Sequence, residues 1–165
     1  MKKKSILKVS YFVSVICVFL TSCGSTPVDY TTADKNTNEK ALTAQVSAEP
    51  DSVETDENGM KMVTYDKSEY GDYTGKMVYY FLEDKLMMSR WETSCDDVEE
   101  RNEIYHAISK KLSKELKQEG KENEEKNALS WSTVDKDVSL GFTDIDGKPT
   151  VYLLENLHEI AENEK

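Results

Sequence analysis

The hydrophobic pattern of this chain changes its period at Thr93, and that change limits the possible folds more than any other feature. Residues 76–82 and 86–93 are rich in valine, tyrosine, phenylalanine and methionine, and the polar residues 83–85 separate them. Such segments predict two strands of an antiparallel hairpin. After Thr93, apolar residues recur about every 3.6 positions, which predicts an amphipathic helix over residues 96–119. The chain therefore combines a sheet with a long helix.

The first strand of this hairpin is apolar on both faces. One face carries Met77, Tyr79 and Phe81, and the other carries Val78, Tyr80 and Leu82. A strand of this kind is expected in the middle of a sheet or under a covering layer. In the following helix, Ser94 is the expected N-cap and Gly120 the expected left-handed stop. The expected buried stripe of the helix consists of Val98, Tyr105, Ile108, Leu112 and Leu116.

Shorter runs of apolar and β-branched residues predict four further strands, at 60–65, 129–134, 138–142 and 150–154. Asp146-Gly147 is a strong hairpin-turn signal before the last of them. Residues 121–127 are expected to form a charged loop, and residues 155–165 a short helix or a tail. The predicted order is β-β-β-α-β-β-β. It describes a single α+β domain over residues 59–165, with a mostly antiparallel sheet and one long amphipathic helix packed on one face.

The N-terminal residues have the layout of a secretory signal peptide. Four lysines lie among the first eight residues, an apolar run covers residues 9–20, and small residues precede Cys23. The run is shorter than the roughly 20 apolar residues that a membrane-spanning helix needs.

The motif Leu20-Thr21-Ser22-Cys23 resembles the lipobox of bacterial lipoproteins, over residues 1–23 only. The resemblance implies that residues 1–22 are removed as a signal peptide. It also implies that Cys23 is diacylated and becomes the first residue of the mature protein. The protein would then be anchored by lipid to the extracytoplasmic face of a cell membrane, either inner or outer.

Residues 23–58 have the composition of a flexible tether. They are rich in threonine, asparagine, aspartate, glutamate and alanine, contain Pro27 and Pro50, and have no sustained apolar period. This composition predicts a lipidated, disordered, acidic tether. A flexible coil of this length spans about 30 Å, which would lift the domain off the membrane.

The mature chain is strongly acidic. Four of the 21 lysines and arginines precede Cys23 and no acidic residue does, so 17 basic residues face 32 acidic ones and the formal charge is −15. This charge repels phosphate groups and argues against nucleic-acid binding and against contact with anionic headgroups through basic residues.

Cysteine usage limits the covalent chemistry. Of the three cysteines, Cys17 lies in the signal peptide and Cys23 is the expected lipid anchor, so Cys95 alone belongs to the folded part. No internal disulfide is then expected. Cys95 lies beside the acidic residues Asp96 and Asp97, which favours a structural role, with a reactive thiol as the alternative.

The sequence carries no recognised catalytic or metal motif. His106 and His158 are the only histidines and have no second ligand at a metal-binding spacing. Residues 144–147 fit a hairpin turn better than a calcium loop. No phosphate-binding loop or nucleophile turn is present. We therefore predict neither an enzyme, nor a metal, nor a cofactor.

Tyrosines around residues 68–75, between the first and second predicted strands, are the candidate binding residues. Tyr65, Tyr70 and Tyr73 lie in or beside a glycine-containing loop, where exposed tyrosines contact sugars or protein partners. The alternative is that they pack on the sheet. Trp91 and Trp131 lie inside predicted strands and are expected in the core.

These features predict a membrane-anchored, non-catalytic binding or accessory module that engages a protein or polymer of the cell envelope. One alternative is a small envelope hydrolase that uses a carboxylate pair. The other is a lipoprotein that sequesters a small ligand in an apolar cavity between helix and sheet.

Overall fold

The computed structural model describes residues 27–123 and 127–158. Within them the chain forms β1 (Val28–Asp29), α1 (Glu39–Val46), β2 (Ser52–Thr55), β3 (Lys61–Tyr70), β4 (Tyr73–Leu82), β5 (Lys85–Ser94), α2 (Val98–Leu116), β6 (Lys121–Asn123), β7 (Ala128–Ser132), β8 (Lys136–Ile145) and β9 (Lys148–Leu157). Neither helix in this part of the chain is long and apolar enough to cross a membrane.

All of these strands belong to one sheet, in the order β1-β3-β4-β5-β9-β8-β7-β6, with β2 paired to β3. The short β1 runs parallel to β3, whereas every other pair is antiparallel. The pairing of β5 with β9 joins the N-terminal strands to the C-terminal meander β6–β9. α2 is the connection between these two parts of the sheet.

One side of the sheet, called the core face below, carries the largest buried side chains. Across paired strands, one row of the core face consists of Tyr65, Met77, Trp91, Leu153 and Leu140. Each of these residues is at most 1% exposed. Both helices contribute to the same cluster, α2 through Ile104, Ile108 and Leu112 and α1 through Leu42.

The helices cover different parts of the core face. α2 packs against β8 and β9. α1 lies near β3, where Glu39 forms an ion pair of 2.6 Å with Lys61. Between β1 and α1 the chain crosses the core face, and the Tyr79 hydroxyl donates a hydrogen bond of 2.9 Å to the Thr31 carbonyl oxygen.

Both predicted hairpins are confirmed. β4 pairs with β5 across a turn in which Glu83 and Asp84 adopt left-handed φ values of 50° and 61°. β8 pairs with β9 across Asp146-Gly147, with φ values of 52° and 76°. Two successive left-handed residues are typical of type I′ turns, whose twist matches that of the flanking strands. β4 lies between β3 and β5, as its two apolar faces predicted.

The α+β class and the mostly antiparallel sheet agree with the prediction, but the predicted order with one helix and six strands is wrong. The described residues contain a second helix, α1, and three further strands, β1, β2 and β6. These strands are two to four residues long and are mainly exposed, so no apolar alternation marks them. β6 occupies part of the expected charged loop. β9 continues to Leu157 where a helix or tail was expected, and residues 159–165 lie outside the described range.

The predicted tether over residues 23–58 is also wrong for its described part, residues 27–58. There α1 begins at Asn38, whose side-chain oxygen accepts a hydrogen bond of 2.8 Å from the Ala41 amide. Leu42 is fully buried. The segment escaped prediction because Leu42 is the only buried residue of this eight-residue helix, too few for a detectable period. The expected domain boundary at residue 59 falls in the turn between β2 and β3.

α2 lies within the predicted helical range, but its ends and its buried stripe differ. Its N-cap is Asp97, which accepts a hydrogen bond of 2.9 Å from the Glu100 amide, and its C-cap is the left-handed Lys117. Val98, expected in the stripe, is 53% exposed. Gly120 does not end the helix. Instead, a Cβ atom at Gly120 would lie 2.6 Å from the Trp131 ring, so glycine leaves the room that the indole needs.

Candidate functional site

Tyr65, Tyr70 and Tyr73 do not form an exposed binding surface. Tyr65 and Tyr70 are 1% and 5% exposed, and the half-buried Tyr73 packs against the core. Tyr65 and Tyr70 are an odd number of residues apart and would face opposite sides of a regular strand. A register shift between Tyr65 and Ser68 turns both toward the core face. That bulge could not be inferred from the sequence pattern.

Trp91 and Trp131 are core residues, as predicted. Both are at most 2% exposed, and each indole is held by a hydrogen bond of 3.1 Å from its nitrogen. Trp91 donates to the Ser68 carbonyl oxygen and Trp131 to the Gln118 carbonyl oxygen. The indoles therefore tie the bulge in β3 and the end of α2 to the sheet.

Cys95 is buried at the end of β5 and is 2% exposed. Burial raises the pKa of its thiol, and the negative charge of Glu100 adds to the rise. Both effects favour the unreactive protonated form over a nucleophilic thiolate. Cys23, the expected lipidation site, lies outside the described residues.

The two histidines lie on the surface. His106 is on the exposed side of α2. His158 follows β9, and its Nε2 atom lies 2.9 Å from the Asp137 carboxylate. This hydrogen bond raises the pKa of His158. Within residues 27–123 and 127–158, no group of three or more histidine, cysteine or carboxylate side chains is arranged to hold a metal ion.

A pocket of about 460 Å³ opens on the core face, between α2 and the chain segment that follows β1. We call it the central pocket. Its charged and aromatic lining residues are Asp29, Tyr30, Glu69, Tyr70, Lys111, Glu115, Lys136 and Glu155. A wider depression of about 760 Å³ lies beside α1, but none of the residues around it is buried. The central pocket is the better candidate site because it reaches buried polar groups.

An ion pair between β8 and β9 lies at the base of the central pocket. Lys136 Nζ is 2.7 Å from Glu155 Oε1, and the two side chains are 13% and 6% exposed. Glu155 lies opposite Val138, so Lys136 is its diagonal neighbour on the same face. The pair lies on the core face of these two strands. The neighbouring core-face positions are apolar and are occupied by Val138, Leu140, Val151 and Leu153.

Tyr30 places a hydroxyl group beside this ion pair. The hydroxyl is buried and has no hydrogen-bond partner of ordinary geometry, although Glu155 and Ser89 face it. Burial raises the pKa of Tyr30 well above its usual value, and the charge of Glu155 adds to the rise. The Tyr30 ring packs edge-to-face on Tyr70 at a centroid distance of 4.9 Å. The group is therefore a neutral hydroxyl that lies beside Glu155 and Ser89 without forming a hydrogen bond of ordinary geometry to either.

The mouth of the pocket is acidic. Asp29, Glu69 and Glu115 are exposed around it. Lys111 extends from α2 and places its ammonium group 4.2 Å from the centre of the Tyr70 ring, a cation–π contact. Burial raises the pKa of Tyr70, and the charge of Glu115 contributes to the rise. The pocket therefore combines negative charge, an aromatic face and the buried Tyr30 hydroxyl group.

Of the tyrosines chosen from the sequence, Tyr70 lines the central pocket, and Tyr65 and Tyr73 do not. Sequence reasoning missed Tyr30, Lys136 and Glu155. A signal existed for the last two, because Lys136 and Glu155 share the alternation phase of the buried residues on their strands. The hairpin turn at residues 146–147 pairs these strands. Ending the last predicted strand at residue 154 removed Glu155 from the pattern.

No protein-family model, curated protein or solved structure matches this chain significantly.

Proposed function

We propose that this protein is a lipid-anchored, non-catalytic binding module on the extracytoplasmic side of a membrane, with the central pocket as its binding site. The observation that carries this proposal is the Lys136–Glu155 ion pair at the base of an open pocket. Removing two charges from water costs several kcal/mol, which their mutual attraction often fails to repay. An apolar pair at these two positions would stabilise the sheet as well as the ion pair does. Recognition of a polar ligand is therefore the better explanation for two charged residues at the base of the pocket.

The lipobox over residues 20–23 supports anchoring through Cys23. Asp29, at the mouth of the pocket, is only six positions further along the chain. Because an extended chain spans at most about 3.6 Å per residue, the mouth lies within roughly 20 Å of the lipidated residue. The proposed ligand or partner is therefore one that is present at the membrane surface, such as an envelope protein, an envelope polymer or a membrane-associated small molecule.

The non-catalytic assignment rests on the lack of a nucleophile turn, a phosphate loop and a metal motif in the sequence. Two alternatives receive less support. A hydrolase needs two carboxylates on either side of a scissile bond. Of the four carboxylates that line the pocket, the buried Glu155 is held by Lys136, and the other three are exposed at the mouth. Sequestration of an apolar ligand needs an apolar cavity, whereas most residues that line the central pocket are charged or carry a hydroxyl group.

Crosslinking in cells tests the binding role of the pocket. The tagged full-length protein is compared with the double variant Lys136→Met/Glu155→Leu, which keeps the volume but removes both charges. The matched control is Glu39→Gln/Lys61→Met, which removes an exposed ion pair outside the pocket. We expect a crosslinked partner that the pocket variant loses and the control keeps. The same crosslinks in all three proteins would contradict a protein or polymer partner at the pocket.

Fractionation tests the anchor. Cys23→Ala is expected to leave the protein unprocessed or to release it from the membrane, because the acylated thiol is lost. Cys95→Ala is the control and is expected to stay in the membrane fraction. Membrane retention of Cys23→Ala after demonstrated signal removal would show that the anchor is elsewhere.

A further inference from the structure

We propose that the central pocket binds a primary ammonium group, carried by a small amine or by an amine-bearing lipid headgroup. The inference rests on the proposed binding role of the same pocket and specifies the chemistry of its ligand. Three independent features of the pocket point to this group: its charge balance, an ammonium that it already holds, and a buried hydroxyl without a hydrogen bond of ordinary geometry.

The charge balance of the lining favours a cation. Four carboxylates line the pocket against two lysines, and Lys136 is engaged by Glu155. The remaining groups are Asp29, Glu69 and Glu115 against Lys111 alone. A concave site with this excess of negative charge concentrates cations and repels phosphates and carboxylates.

The pocket already holds an ammonium group at one position. Lys111 Nζ lies 4.2 Å from the centre of the Tyr70 ring, in the geometry that a ligand cation would use. Lys111 is a partly exposed side chain on α2, and lysine side chains have several rotatable bonds. A ligand ammonium can therefore take its place over the ring while Lys111 turns toward solvent.

The Tyr30 hydroxyl supplies the third feature. It is buried beside Glu155 without a hydrogen-bond partner of ordinary geometry, which is uncommon for a buried polar group. An ammonium carries three N–H donors and no acceptor, so it can donate one hydrogen bond to the Tyr30 oxygen and others to carboxylates. A ligand bound in this way would give the Tyr30 oxygen a donor of good geometry, which Glu155 and Ser89 do not provide in the free protein.

Calorimetric titration of the full chain carrying Cys23→Ala provides the test, with ethanolamine and 1,5-diaminopentane as probes. N-acetylethanolamine, which has no charge, is the matched control ligand and is expected not to bind. Glu115→Gln is expected to weaken binding of the amines about tenfold through loss of a charge-assisted contact. Glu103→Gln, an exposed substitution on α2 outside the pocket, is expected to have no effect.

Two further variants separate recognition from structural effects. Tyr30→Phe is expected to weaken binding roughly fivefold without lowering stability, because it removes a hydroxyl that forms no hydrogen bond of ordinary geometry to the neighbouring Glu155 and Ser89 in the free protein. Lys111→Met is expected to strengthen binding several-fold, because it removes the competing internal cation. A purely structural role for these residues predicts neither result.

Vesicles distinguish the two sources of the amine. Binding to phosphatidylcholine vesicles that contain phosphatidylethanolamine, but not to phosphatidylcholine alone, would identify a lipid headgroup if Tyr30→Phe weakens this binding as it weakens that of the soluble amines. Binding of the soluble amines alone would identify a free ligand. The inference is wrong if neither the soluble amines nor the vesicles bind. Glutarate and phosphate are tested as anionic probes. The inference is also wrong if either anion binds more tightly than the amines and Lys111→Met weakens that binding.

The crosslinking experiment keeps this failure separate from failure of the proposed function. If amines do not bind but the pocket variant still loses its crosslinked partner, the ammonium inference is wrong and the binding role stands. If amines do not bind and the pocket variant keeps every crosslink, both are wrong.

Discussion

The buried residues of the core face are apolar near α1, where the Glu39–Lys61 ion pair is partly exposed, and charged at the base of the central pocket, although one row of paired residues runs through both regions. In that row, Val63 on β3 and Tyr79 on β4 lead through Ser89 to Glu155 on β9. Val63 is fully buried and Glu155 is 5% exposed, so both lose nearly all contact with water. Apolar burial stabilises the first region, whereas charge burial costs free energy in the second. The comparison separates residues that hold the fold from residues for which we propose a role in ligand binding.

The largest expected effect comes from leaving one buried charge without its partner. Lys136→Met should lower the free energy of unfolding by about 3 kcal/mol or more, because Glu155 then stays buried and unpaired. The double variant Lys136→Met/Glu155→Leu should recover most of this loss. It replaces both buried charges with apolar side chains, so the base of the pocket becomes apolar like the region near α1. Urea denaturation of both variants gives the two values. A double variant as unstable as Lys136→Met would mean that the ion pair itself holds the sheet.

Leu42→Ala tests the apolar region. Leu42 is fully buried, so the substitution should cost about 2–5 kcal/mol in urea denaturation. The matched control is Gln45→Ala on the exposed side of α1, with an expected change within about 0.5 kcal/mol. Equal stabilities of the two variants would show that α1 does not belong to the core and would restore the tether prediction.

Two tyrosine hydroxyls compare the regions most closely. The Tyr79 hydroxyl donates to the Thr31 carbonyl oxygen, whereas the Tyr30 hydroxyl has no hydrogen-bond partner of ordinary geometry. Tyr79→Phe should therefore cost about 1 kcal/mol in thermal or urea denaturation, and Tyr30→Phe should cost nothing or slightly stabilise the protein. A loss in Tyr30→Phe equal to that in Tyr79→Phe would reveal a structural hydrogen bond at Tyr30.

The smallest expected effect is the pH dependence of the surface pair His158–Asp137, which serves as a reference outside both regions. The hydrogen bond to Asp137 raises the pKa of His158 above 6.5, so the folded state binds the proton more tightly. This stabilisation is complete below pH 6.5 and disappears as the pH rises through the raised pKa. His158→Gln should remove this part of the pH dependence of the unfolding midpoint. An unchanged profile would show that the pair contributes nothing in solution.

The sequence was a good guide where local signals were long and regular. The strands on either side of residues 83–84 and residues 146–147 were found because each combines sustained apolar residues with a turn that demands left-handed backbone. α2 was found because its apolar period continues over several turns. α1 and the short strands β1, β2 and β6 were missed because each buries at most one side chain, and partners far away in the chain stabilise them.

The candidate site was harder to predict than the fold. Its tyrosines were judged by their neighbours in the chain, but a bulge in β3 turns Tyr70 inward, and Tyr30 reaches the same place from a segment assigned to the tether. A pocket is formed by residues that are distant in sequence, so no local pattern marks it. The one signal in the sequence was that Lys136 and Glu155 share the strand alternation of the buried residues around them.

The sequence by itself determined the α+β class, the two hairpins, the position of the long helix and the cores around Trp91 and Trp131. These follow from periodicity and turn chemistry, which act over a few residues. Only the tertiary structure decided that residues 27–58 complete the sheet and that Tyr30, Lys136 and Glu155 meet at one pocket. Long-range packing sets the exposure of each side chain, and exposure decides whether a tyrosine or a charge holds the fold or contacts a ligand.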